Sequence, residues 1–180
     1  MILFQINKIV RKYLAYFALF LLFAAGSDSL TAQNKFSVSG GLGYYELTNI
    51  GFHWNSSAAS SFSIYGGTNF GMGNTRYLSL GLSFAHVYQK PLFWKIKAGY
   101  SLGLIYWTSD DDLYNFTNLA LPMMALLEYP LSKSFALRAE GGILFNAVLT
   151  SERKQNIEAG YPERFNGNAA LSLIYKFGAK

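Results

Sequence analysis

Three features of the sequence predict an all-β chain, folded as an eight-stranded antiparallel up-and-down transmembrane β-barrel behind an N-terminal signal peptide. The first is a strict two-residue hydrophobic period over Ser134–Thr150. The second is a composition that is 51% hydrophobic and 17% aromatic but only 14% charged, with no mature segment apolar enough for a membrane helix. The third is the recurrence of alternating segments, eight in all, between turn-like clusters.

In Ser134–Thr150 every second residue from Phe135 (Phe135, Leu137, Ala139, Gly141, Ile143, Phe145, Ala147, Leu149) lacks a polar side chain. The other set holds Arg138, Glu140 and Asn146, and with them every charge of the segment. Such a period marks a strand whose two faces meet different surroundings. A helix would carry Gly141-Gly142 in its middle, at roughly 1 kcal/mol per glycine. Soluble strands run about 5–6 residues, whereas a tilted membrane-spanning strand needs roughly 9–11. The length therefore favours lipid on the apolar side and a lumen on the other. An arginine at mid-bilayer on the lipid face costs about 2–4 kcal/mol, so a parity that hides Arg138 carries weight.

The opening segment reads as an export signal. Lys8, Arg11 and Lys12 precede the uncharged run Tyr13–Ala25, and small residues follow, which places cleavage after Ala32 with Gly26 as the alternative. Residues 1–32 are thus expected to be a signal peptide and 33–180 the barrel domain. Removing the signal takes away three basic residues and Asp28 and lowers the formal charge from +5 to +3. The remaining charges are scattered, which argues against a nucleic-acid partner. With no cysteine there is no disulfide framework, no thiolate metal site and no lipoprotein anchor.

The strands follow in order. The first is expected over Lys35–Tyr45, with Phe36, Val38 and Leu42 outward. A short one carries Ile50, Phe52 and Trp54 against His53. The third and fourth are Ser61–Gly71 and Arg76–Gln89, the latter with Leu78, Leu80, Leu82 and Phe84 outward. The fifth, Trp94–Thr108, sets Trp94, Ile96 and Tyr100 outward and Lys95 and Lys97 inward. The sixth, Asn115–Tyr129, contains Pro122, which cannot donate to a ladder and predicts a bulge there. Ser134–Thr150 is the seventh, and Phe165–Phe177 the eighth, with Lys176 inward. With both termini in the periplasm, the longest connections, Ser109–Tyr114 and Ser151–Arg164, fall outside, and Lys90–Phe93 and Pro130–Lys133 form short periplasmic turns. Aromatics cluster toward strand ends, as two interfacial girdles require.

On this pattern the mature chain resembles the small eight-stranded outer-membrane barrels of the OmpA transmembrane-domain and OmpX type. The ending Ala170–Phe177 resembles the C-terminal signal read by the barrel-assembly machinery of Gram-negative cells, with Phe177 and Tyr175 in place and Ser172 where glycine is common. The chain continues with Gly178-Ala179-Lys180, whereas many members stop at the aromatic. The resemblance implies an outer-membrane location in the cell envelope, contact with its lipid and no cofactor; it speaks to fold more than to activity.

An eight-stranded barrel has room for side chains or one small ligand, not for an open pore. The inward charges form an expected lumen network of Lys95, Lys97, Glu128, Arg138, Glu140 and Lys176, centred on Arg138 with Glu128 as its cross-strand partner. Leaving one member unpaired costs about 3–5 kcal/mol. No catalytic, cofactor-binding or metal-binding residue is assigned. His86 with Ser83 could suggest a lipid-modifying enzyme, but the two lie on opposite faces. Asp110-Asp111-Asp112 lacks the alternating acids and the glycine of a calcium loop. The expectation is a non-enzymatic barrel, structural or interaction-bearing, with a protein partner at loops 109–114 and 151–164. The alternatives are a narrow porin-like barrel for a small solute, a lipid-modifying enzyme, and a secreted lipocalin-like calyx.

Overall fold

The computed structural model describes residues 35–43, 47–70, 75–112, 114–153 and 165–178. The expected signal peptide and most of the loop 151–164 lie outside these residues. The strands are β1 (Phe36–Gly43), β2 (Thr48–Asn55), β3 (Ser60–Thr68), β4 (Arg76–Val87), β5 (Lys97–Asp110), β6 (Tyr114–Pro130), β7 (Phe135–Arg153) and β8 (Phe165–Lys176). Each pairs antiparallel with its sequence neighbour, and β1 closes on β8, giving an eight-stranded barrel. Closure leaves no free edge along the paired staves.

The alternation carries through into burial. On β4, Leu78, Leu80 and Leu82 are exposed while Ser79 and Gly81 are buried. On β7, Leu137, Ile143 and Phe145 face out and Arg138, Leu144 and Asn146 face in. Because a side-chain period of two ties parity to register, each ladder keeps all inward residues in one interior. That interior mixes serines and ions with small apolar groups around Leu126 and Ile105.

The outer surface ends in aromatics. At the end where the chain enters β1, Phe36 stacks on Phe52 (5.6 Å), and a run of ring contacts passes from Trp54 through Phe62 and Phe84 to Tyr100. Phe135, Tyr175 and Phe177 continue it on the other side. Phe84 has outward parity yet is 3% exposed, because Phe62 and Tyr100 cover it.

Several expectations need correction. Pro122 does not sit at a bulge: β6 stays in register with β7 there, opposite Leu144. On the β5 side the pairing skips from Leu102↔Met123 to Ile105↔Ala120 without a shift. The ring is accommodated because Gly103 lacks a Cβ, which would lie 2.9 Å from Pro122 Cγ. The register shift falls earlier, between Thr117 and Asn118. Trp94 and Lys95 are not on a stave, since β5 begins at Lys97 and both are exposed in the preceding turn. Finally, Ser109–Tyr114 is no long loop. Ser109 and Asp110 belong to β5, Tyr114 opens β6, and Asp111 Oδ1 accepts the Tyr114 N–H at 2.6 Å.

Candidate functional site

Three strands bring the lumen charges together. Glu128 on β6 and Arg138 on β7 are direct cross-strand neighbours on inward parity. Arg138 donates to Glu128 Oε2 from Nη2 at 2.7 Å and from Nε at 3.3 Å. Lys176, on β8, donates to the other carboxylate oxygen at 2.9 Å. Both Glu128 oxygens are therefore engaged by cations, with the Glu128 and Arg138 side chains only 7% and 10% exposed. Water cannot screen a pair so enclosed as it screens a surface bridge.

The other assigned charges divide. Glu140 lies one inward step above Arg138 and accepts from Ser101 Oγ at 3.0 Å. Lys97 faces Glu128 across the β5–β6 ladder, but its ammonium donates to Gln89 Oε1 at 3.0 Å. Lys95 takes no place in the interior, being exposed in the turn before β5.

The network divides the lumen. Below it lies a cavity of about 330 Å³, at the end bearing the connections 56–59 and 88–96. Above it lies a smaller one of about 90 Å³. His53, Arg138 and Ile174 line both. His53 Nε2 shares a 2.8 Å hydrogen bond with Ser39 Oγ, which fixes the ring in the dividing layer. Higher still, Trp107 Nε1 donates to Asn146 Oδ1 at 3.4 Å, and Asn118 is fully buried with no partner for its amide among the described residues.

Sequence reasoning also missed the partner of His86. His86 Nδ1 bonds Ser60 Oγ at 2.9 Å, across the Ser60↔His86 register position, and not Ser83. Tyr100 stacks on the His86 ring at 5.6 Å and Tyr88 meets it edge-on. Ser83 instead bonds Ser63 at 2.6 Å on the inward face. Only the β3–β4 register could have revealed this partner, because Ser60 and His86 are far apart in sequence. Among the described residues no carboxylate orients His86, so the contact is a dyad without a third member.

No family model matches this chain, and no curated protein matches it. Solved structures do. The N-terminal β-barrel domain of Pseudomonas aeruginosa OprF superposes with a TM-score of 0.55 at 13% identity, covering 81% of this chain and 98% of that one. A major outer membrane protein from Thermus thermophilus gives a TM-score of 0.51 at 14% identity, covering 79% and 98%. The fold is thus that of eight-stranded outer-membrane barrels.

Proposed function

We propose that this chain is a small, non-enzymatic outer-membrane barrel protein that serves the envelope as a structural or interaction-bearing element. One observation carries the reading: the outward face of every strand is apolar through its middle, while the Glu128–Arg138–Lys176 network lies across the interior between two cavities. A soluble calyx has no reason to present Leu78, Leu80 and Leu82 to water in a row. Hydrocarbon outside and ions inside are what a membrane-spanning barrel needs. The export signal over residues 1–32 and the terminal Tyr175 and Phe177 supply the route to that membrane through the barrel-assembly machinery. Function then falls to the end opposite the termini, where β5 connects to β6 and β7 to β8 within the segments 109–114 and 151–164.

Purified protein in detergent should migrate faster on a gel unheated than boiled, and a water-soluble monomer would defeat the reading. Grafting residues 109–114 and 151–164 onto another barrel should transfer partner capture if these connections carry it. Conductance in planar bilayers should stay at background, because the network divides the lumen. The Ser60–His86 contact supports an enzyme reading only if His86→Ala abolishes an activity on lipid while the barrel still folds.

A further inference from the structure

The cavity below the network has a charge imbalance that the network does not relieve. Lys97, Arg138 and Lys176 line it against one carboxylate, Glu128. With histidine counted as neutral, the formal charge of its lining is +2. Glu128 has no oxygen to spare, since Arg138 takes one and Lys176 the other. Lys97 is left with a neutral amide oxygen as its partner.

Neutral donors point into the same space. Ser57 Oγ accepts the backbone N–H groups of Ala59 and Ser60 at 3.1 and 3.0 Å, so its own proton remains to donate. Ser37 and Ser61 are buried, line the cavity, and make no hydroxyl hydrogen bond among the described residues. Donor hydroxyls beside surplus cations and without acceptors are complementary to an anion with several acceptor oxygens. At about 330 Å³ the space falls at the lower end of small-ligand pockets, which run roughly 300–1,000 Å³.

We propose that this inner-mouth cavity binds a small phosphate-class oxyanion, held by Lys97 and Lys176 with the serine hydroxyls around it. A phosphate monoester carries about −1.5 to −2 at neutral pH, which offsets the +2 lining; a carboxylate or chloride offsets half. The same group occurs as free phosphate and on a phospholipid head. The proposal does not depend on what the external connections do.

The experiment is calorimetric titration of the folded barrel, in detergent and at constant ionic strength, with inorganic phosphate and with glycerol 3-phosphate, chloride serving as the blank. Saturable one-site binding of either probe is expected, weakened about tenfold or more in Lys97→Met, since a charge-assisted hydrogen bond is lost. Lys97→Met leaves Glu128, Arg138 and Lys176 paired, so the variant should fold with an unchanged heat-dependent gel shift. Lys133→Met, at an exposed turn of the same end, should bind as the parent does. Tighter glycerol 3-phosphate assigns a lipid head and tighter inorganic phosphate a free ion; either supports the site. No saturable heat up to millimolar concentrations, or equal weakening in Lys133→Met, would overturn it.

Discussion

Lys97 and Glu128 stand opposite one another on adjacent strands, yet the ammonium turns to Gln89 and leaves the carboxylate to Arg138 and Lys176. Opposite charges in register need not pair when a better donor already holds the acceptor. The guanidinium puts two N–H groups on one oxygen, and Lys176 occupies the second. Glu128 is therefore the hub, and removing it costs more than removing any one cation.

Glu128→Gln should destabilise the barrel by about 3–5 kcal/mol, because Arg138 stays enclosed without its counter-charge. Urea unfolding in lipid bilayers checks this. Adding Arg138→Met should recover most of the loss, since an apolar replacement of a buried pair is often neutral. A double variant as unstable as the single one would mean that the pair is not the source of the cost.

Two adjacent glycines should differ sharply. A Cβ on Gly141 meets nothing within 4 Å, whereas one on Gly142 runs into the Met123 carbonyl oxygen and the Met124 Cα. Gly141→Ala should refold like the parent, while Gly142→Ala should lose about 1–3 kcal/mol through overpacking. Refolding yield and unfolding midpoint distinguish them.

Arginine substitutions should map the lipid face. Leu82→Arg, at the middle of β4, should cost about 2–4 kcal/mol and Leu78→Arg, near its end, about 0–1 kcal/mol. The gradient is read from unfolding free energies in bilayers. Equal costs at the two positions would argue against a hydrocarbon layer centred on Leu82.

Much of this was legible in the sequence, for one physical reason. A period of two assigns each residue of a long strand to a face without knowledge of its neighbours, so Arg138, Glu128 and Lys176 could be placed inside together. What the period cannot supply is pairing. The Ser60–His86 contact depends on the β3–β4 register, and Ser83, nearer in sequence, points the other way. Pro122 misled for a related reason: proline forbids one ladder bond, but the missing Cβ of Gly103 on the neighbouring strand absorbs the ring without a bulge. Turn ends failed where alternation runs past the last ladder pair, as at Trp94 and Lys95. The cavity could not be foreseen, because Ser57 and Gln89 reach it from connections rather than staves.

Site-directed spin labelling tests the central claim most directly, and a chain without cysteines suits it. Nitroxides attached to cysteine at each position from Leu78 to Ala85, in the bilayer-folded barrel, would be challenged with oxygen and with a water-soluble nickel chelate. Labels at Leu80 and Leu82 should collide freely with oxygen and hardly with the chelate, alternating with the positions between them. Ready access of the chelate to Leu80 and Leu82 would contradict a lipid-facing wall.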